Sequence, residues 1–463
     1  MGDLGSILNV TRSAILSHLS ALNVTSSNIA NVDTEGYTRL RATFGSTGVV
    51  NLAAGQEDFN VQITSIERLY NKYLEEQVVG QEQNVGYTDS QTDALNRAET
   101  IFNESTDSGI NNLLAQFWSA WSEVSANPSG TTERDNLVSI SQSLASMFRQ
   151  KANELISVQN DTNTSISDAV TELNQSLDDM VDLNNKIAEI ESGGGSAMDL
   201  RDKRTELLRD ISQIIDVNYY EEANGSLNIF ISNGRSLVEG SNAWKLDVVR
   251  NTSNNNYYDI VFQDTPAVSI NDDIKGGKLA GLLDVRDTKV TGYLTDLDNM
   301  AATVITNVNA QHSSGYDLNG NIGGDFFSSA STRAKDMRVD SAIVADVTKI
   351  AASATVNSDG DNASLIAAIQ DDSTLMGGGA QTIDNFYESL VSRIGQDVAD
   401  LKSSQDHQTA VMTQMESARE AVSGVSLDEE MLNIIKYQAG YNAAARLSAI
   451  VNEMMDTLIN LGE

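Results

Sequence analysis

The chain contains no cysteine, so disulfides, thiol nucleophiles and thiolate metal sites are all excluded. Proline occurs only twice in 463 residues, at Pro128 and Pro266, which leaves almost nothing to interrupt long helices. Aromatic residues make up 6% of a chain that is 40% hydrophobic, so small and β-branched side chains are expected to fill much of the core. Positive charge is scarce as well: 30 Lys and Arg stand against 65 Asp and Glu, a formal net charge of −35. Such a surface repels nucleic acid and anionic membranes, whose binding needs clustered cations; neither is an expected partner. No run of 18 apolar residues is available to span a bilayer. The first residues also lack the basic region, apolar stretch and small-residue cleavage site of a secretory signal. Taken alone, that points to the cytoplasm, unless export follows a route without a cleaved signal.

Catalytic chemistry finds little to stand on. The three histidines are His18, His312 and His407, and His18 and His407 lie in polar-faced helical surroundings, as ordinary surface residues do. No Gly-x-Ser-x-Gly elbow or phosphate-binding Gly-x-x-x-x-Gly-Lys loop occurs. Asp317-Leu-Asn-Gly-Asn321 and Asp359-Gly-Asp361 alternate oxygen ligands as calcium loops do. The first, however, has Gly320 at position four and Ser328 at position twelve, which fits a tight Asx turn better than an EF-hand. No catalytic residue, cofactor or metal ligand is assigned.

What is present is periodicity. Leu8, Ile15, Leu22 and Ile29 recur every seven residues, with Leu4 and Leu19 between them, the 3.5-residue seam of a helix packed on a helix. The seam stops at Asn31-Val-Asp-Thr-Glu-Gly36, and residues 37–66 read as extended, punctuated by Gly45, Gly48 and Gly55. At the other end Ile434, Tyr437, Tyr441, Ala444, Ser448, Val451, Met455 and Leu458 step by three and four, behind Glu429 and Glu430 in the first turn. Pairing the two terminal helices is the cheapest way to cover both seams. Further stripes run through Leu173–Ile187, closed by Gly193–Gly195, and through Ile394–Val422; two shorter helices flank Pro128. Between them the period changes to two at Leu227, Ile229 and Ile231, followed by Asn233-Gly234, a hairpin signal.

The expected fold is therefore mainly α with an inserted β domain: paired N- and C-terminal coiled-coil-like helices, an elongated helical bundle and a small β-rich domain. The divisions are residues 1–66 (terminal helix and arm), 67–215 (bundle, first part), 216–275 (β domain), 276–424 (bundle, second part) and 425–463 (C-terminal helix, joined with 1–66).

Several motifs resemble a known family. Ala21-Leu-Asn-Val-Thr-Ser-Ser-Asn-Ile-Ala-Asn-Val-Asp-Thr-Glu-Gly-Tyr37 is similar to the N-terminal signature of flagellar rod, hook and hook-associated proteins. Ser423-Gly-Val-Ser-Leu-Asp-Glu-Glu-Met431, through Tyr441 to Asp456-Thr-Leu458, is similar to their C-terminal signature. Tyr37-Thr-Arg39, Leu183-Asn-Asn-Lys-Ile-Ala188, Asp199-Leu-Arg-Asp-Lys-Arg204 and Gly324-Asp-Phe-Phe327 resemble the hook-associated members of the hook–filament junction. The resemblance implies a non-enzymatic structural subunit of the bacterial flagellum, extracellular and exported by the flagellar type III apparatus. Implied partners are further copies in a homo-oligomeric ring, the hook protein, a second hook-associated junction protein and a cytoplasmic export chaperone. Assembly and chaperone contacts would fall on Leu8, Ile15, Leu22, Ile29 and Gly36, and on Ile434, Tyr437, Tyr441, Val451, Met455 and Leu458. Larger relatives carry an extra outer domain, for which little room exists between residues 326 and 380. The alternatives are another axial subunit (hook or distal rod), or an acidic helical surface adhesin whose β insert binds ligand through Trp244, Tyr257 and Tyr258.

Overall fold

A computed structural model describes residues 2–34, 36–51, 56–103, 109–356 and 359–460; Glu35 and Gly55 lie outside these. The first helix, α1 (Gly2–Ala30), leads into a two-stranded antiparallel hairpin, β1 (Leu40–Asn51) and β2 (Gln56–Arg68). Four helices follow: α2 (Lys72–Phe102), α3 (Ile110–Ala126), α4 (Thr131–Ser192) and α5 (Met198–Ile214). The stripes around Leu137–Phe148 and Leu173–Ile187 belong to one helix, so the expected short helix after Pro128 is instead 62 residues long. At 1.5 Å per residue it runs about 90 Å. Neither Gly nor Pro falls inside it, and it ends only at the glycine run, where Gly194 takes φ +77°.

The inserted β region forms two small antiparallel sheets. One orders β3 (Val217–Glu221), β4 (Leu227–Ile231), β5 (Ser236–Glu239) and β6 (Asn242–Ala243). The other orders β7 (Leu246–Asn251), β8 (Tyr257–Phe262) and β9 (Thr265–Ser269). Gly234 turns at φ +85° between β4 and β5, as the Asn-Gly pair requires. The chain returns through α6 (Gly277–Asp284), a π turn (Val285–Lys289) and α7 (Val290–His312). The wider turn offers the Arg286 carbonyl to Gln159 on α4 (2.9 Å). The fully buried Arg286 guanidinium reaches Asn163 (2.9 Å), the Tyr258 carbonyl (2.8 Å) and Asp287 (2.6 Å), tying the β region to the bundle. Residues 313–382 form an irregular cap with two short helices, α8 (Ser341–Ala345) and α9 (Asp361–Ala367), before α10 (Ile383–Ser423) and α11 (Leu427–Asn460).

Two large cores hold this body together. Around β3–β8 and the second half of α4, Ile, Leu and Val dominate, as the low aromatic content suggests. Near the cap the opposite holds: Phe117, Trp118, Trp121, Phe148, Phe326 and Phe327 are all buried together. The Trp121 and Phe326 rings lie 5.0 Å apart. One side chain, Asn309, accepts from both the Phe326 and Phe327 amides (2.9 and 2.8 Å). His312 sits fully buried beside them. Its Nδ1 faces the Gly324 carbonyl (2.6 Å) and its Nε2 accepts from the Ala351 amide (2.8 Å). Burial pushes its pKa down to about 4, so the ring is neutral. Asp317 closes the expected Asx turn, accepting from the Asn319 and Asn321 amides (both 2.8 Å) with Gly320 at φ +77°.

Candidate functional site

Both chain ends and the hairpin make a separate module. The α1 and α11 helices pack along each other, and the hairpin lies against α1. Its core cluster is small: Ala21, Val24 and Ala42, with Leu40, Phe44, Ile63, Ile66 and Tyr437 partly buried around them. The stripe of α1 that faces inward is polar and small: Thr11, Ser17, Ala21, Val24, Thr25 and Asn28 are buried. The heptad residues Leu8, Ile15, Leu22 and Ile29 are only half-covered, and Leu19 is exposed. On α11, Val451 and Ala444 are buried, Ile434, Tyr437, Tyr441, Ser448 and Met455 are half-covered, and Leu458 is exposed. Most of the C-terminal stripe thus faces α1, whereas the large aliphatics of α1 sit beside the covered face.

His18 corrects an expectation. It is no ordinary surface residue but forms a triangle of tilted rings with Phe44 and Tyr437, whose centroids lie 5.6 and 6.3 Å from its own and 5.7 Å from each other. A Cβ at position 440 would lie 2.5 Å from the His18 ring, so Gly440 is what lets α11 approach this imidazole. Burial lowers the His18 pKa, and its Nδ1 is buried without a hydrogen-bond partner. His407, by contrast, is exposed as expected.

The turn after α1 is a knot of polar contacts. The buried Asn28 side chain donates to the Leu40 carbonyl (2.8 Å) and accepts from the Leu40 amide and the Tyr37 hydroxyl (both 2.9 Å). Gly36 takes φ +76°, and a Cβ there would meet Glu206 Oε2 of α5 at 2.9 Å. Next to it the Thr38 amide donates to Asp202 on α5 (3.1 Å), which also pairs with Arg68 at 2.5 Å. Arg39 donates to Glu429 (2.6 Å) and Glu430 (2.7 Å), while its amide donates to the Ser423 carbonyl (2.9 Å). The chain crosses between module and body twice, at 69–71 and 424–426. The 36–39 turn beside both crossings carries the Arg39–Glu429, Arg39–Glu430 and Asp202 contacts, with Arg68 pairing with Asp202 next to the first. Arg39, Asp202 and Gly440 were invisible to periodicity because their partners are remote in sequence. Asn28 was legible with Asn31, Asp33, Thr34 and Gly36 as part of the turn that ends α1, and its hydrogen bonds to Leu40 and Tyr37 are what the fold adds.

The outer side of α11 stays open. Leu432 and Ile435 are 67% and 64% exposed, and Leu427, Met431, Leu447, Ile450, Met454 and Ile459 are exposed with them. These exposed apolar side chains form two groups, one at the start of α11 and one along its second half. The insert offers no comparable site: Tyr257 is buried with its hydroxyl on Gln159 (3.1 Å), and Trp244 packs against the β core.

A self-contained body is joined to a module made of both chain ends and open on one side. Comparison with known proteins places this architecture among flagellar axial proteins. Residues 95–327 match the flagellar hook-associated protein FlgK helical domain, 8–38 the flagella basal body rod protein family, and 418–461 the flagellar basal body rod FlgEFG protein C-terminal family. Flagellar hook-associated protein 1 of Bacillus subtilis is 29% identical over 494 aligned residues, covering 98% of this chain and 97% of that protein. Its Escherichia coli counterpart is 24% identical over 549, covering 99% and 100%. The flagellar hook junction protein FlgK from Burkholderia pseudomallei shares the fold at a TM-score of 0.66 and 17% identity, over 75% of this chain and 100% of that one. The chain belongs to the flagellar hook-associated protein FlgK family and is a structural component of the flagellum, not an enzyme.

Proposed function

We propose that this protein joins hook to filament, as a ring of identical subunits between the hook protein and a second hook-associated protein. The observation that carries this reading is the unfinished terminal module. An exposed apolar face on α11 beside half-covered aliphatics on α1 leaves area that stacked neighbours would bury. The Burkholderia pseudomallei relative, named for the hook junction, supports the location. The subunit is exported through the flagellar type III apparatus and works outside the cell. A chain free of cysteine and nearly free of proline suits passage through a narrow channel, since it can neither cross-link nor stall on slow isomerisation.

Before export, a cytoplasmic chaperone covers the α11 stripe of Ile434, Tyr437, Tyr441, Val451, Met455 and Leu458. Tyr441→Asp would then place a charge in a dry contact and weaken chaperone binding by about 2–4 kcal/mol; unchanged affinity by calorimetry would remove the stripe from that interface. The junction role itself is tested by immuno-electron microscopy of isolated flagella. Label confined to the hook–filament boundary is expected, and label along the hook or rod would favour another axial subunit.

A further inference from the structure

On a chain of net charge −35, unpaired cations are conspicuous wherever they gather. Arg149 on α4 and Arg333, Lys335 and Arg338 in the cap loop beside it form such a group, the last three exposed. Among the described residues none of the four has a carboxylate within ion-pair distance, although Arg333 and Lys335 stand near enough to Asp298 to pull against the rise that burial gives its pKa. Arg149 donates to the Met337 carbonyl (2.5 Å) and Arg338 to the Asp336 carbonyl (3.3 Å). The adjacent acids are already engaged by backbone amides: Asp336 by Thr332 and Arg333 (2.8 and 2.9 Å), Asp298 by Ala334 (2.9 Å). The patch therefore presents positive charge outward from the α4 and α7 side of the bundle.

A different face carries the complement. The end of α2, the start of α3 and the first turns of α10 enclose a cleft of about 1170 Å³. Phe102, Val391 and Ile394 supply apolar walls, Glu99, Asp384 and Glu388 supply carboxylates, and among the described residues no Lys or Arg lines it. One Asp384 oxygen accepts from Gln370 (3.1 Å), while the other is buried without a hydrogen bond. Burial, with Glu388 and Asp371 nearby, holds that carboxyl above its usual range. The two faces stand at the same level of the bundle. Lys151, two residues beyond Arg149, donates to the Ile101 carbonyl, next to the Phe102 that walls the cleft.

We propose that these faces meet between neighbouring copies of this chain, the Arg149/Arg333/Lys335/Arg338 patch of one docking on the Glu99/Asp384/Glu388 cleft of the next. The inference rests on the ring assembly proposed above and assigns the contact that closes it at the level of the helical body. Because the two patches differ, the contact is heterologous and propagates from copy to copy, as a closed ring requires. A second copy is the occupant that charge selects. Its patch brings a cluster of cations to a cleft that has none, and it is present wherever the cleft is.

The absence of native cysteine makes the test direct. In cells whose only copy of the protein carries Lys335→Cys and Glu388→Cys, a short bis-maleimide applied to isolated flagella should yield a ladder of dimers and higher multimers. Either substitution alone should yield none. Junctions that contain the double variant but give no ladder would overturn the contact while leaving the junction role intact. Absence of the wild-type protein from flagella would remove ring and contact together. A charge exchange gives an independent readout. Arg333→Glu with Lys335→Glu and Arg338→Glu should lower the number of filament-bearing hooks about tenfold or more, since like charges facing each other cost several kcal/mol. Adding Glu99→Lys and Glu388→Lys should restore most of that loss. All five positions are exposed, and unchanged circular dichroism checks that each variant folds. Normal filament numbers in the triple variant, or no recovery in the five-fold one, would sink the pairing.

Discussion

The body and the terminal module solve the same problem of covering helices in opposite ways. In the body, large side chains vanish completely, among them Trp118, Trp121, Phe117, Phe148, Phe326 and Phe327. In the module, the buried apolar residues are small or β-branched, namely Ala21, Val24, Ala42, Ala444 and Val451, and the inward face of α1 is otherwise Ser, Thr and Asn. Its large aliphatics sit beside that face or point away from it. The core of the body is therefore complete within one chain, while the module relies more on hydrogen bonds and ion pairs and leaves apolar side chains of α11 exposed. Substitutions in the two cores should therefore be read by different measurements.

The largest effect is expected in the body. Trp121→Ala removes a fully buried ring that touches Phe326 and Phe117 and should cost about 3–5 kcal/mol in urea denaturation. A loss below about 1 kcal/mol would mean that the aromatic core does not carry the body. In the module, Asn28→Ala strands the Leu40 amide and carbonyl and the Tyr37 hydroxyl, a local cost of about 1–3 kcal/mol. It should appear as faster hydrogen exchange around residues 28–40 with the main thermal transition unmoved. A shift of that transition would show that module and body melt as one unit.

Gly36→Val is expected to be smaller still. Sequence periodicity treats this glycine as a helix stop, but at φ +76° a β-branched residue costs at least about 1 kcal/mol, and Glu206 must also move aside. Proteolysis of the 31–39 turn should quicken. An unchanged rate would show the turn to be permissive.

Glu82 on α2 couples stability to pH. Burial, with Glu416, Glu206 and Asp210 adding to it, raises its carboxyl from 4.5 to about 7, against the opposing pull of Arg209. A folded-state pKa above the unfolded one contributes stability that is fully present below 4.5 and lost as pH rises through about 7. Glu82→Gln should therefore raise Tm at pH 8 and leave it nearly unchanged at pH 4.5; equal gains at both would rule out titration as the cause. The smallest effect on stability belongs to truncation before Met454. Met454, Leu458 and Ile459 are exposed, so the thermal transition should stay in place while junction assembly fails. A truncated chain that still assembles would show that this end of α11 is no part of the ring.

Much of the architecture was legible in the residues. Absent cysteine and near-absent proline excluded disulfide scaffolds and allowed long helices; the change of period at Leu227–Ile231 located the β insert; and the heptads at both ends announced helices that need partners. The α11 stripe through Val451 was read correctly because its repeat is unbroken. Three features were not legible. The stripes before and after residue 160 merged into one helix, because sequence gaps in a hydrophobic pattern do not break a backbone that contains no Gly or Pro. The face of α1 that turns inward is not its most apolar face, and His18 lies within the module because Gly440, 422 positions away in sequence, leaves room for its ring. Local pattern determined which segments are helix or strand, since propensity and turn chemistry act over a few residues. Which face each helix buries, and which it leaves for a neighbour, was decided only in three dimensions, where Arg39, Asp202 and Glu430 come from distant parts of the chain to set how the ends dock.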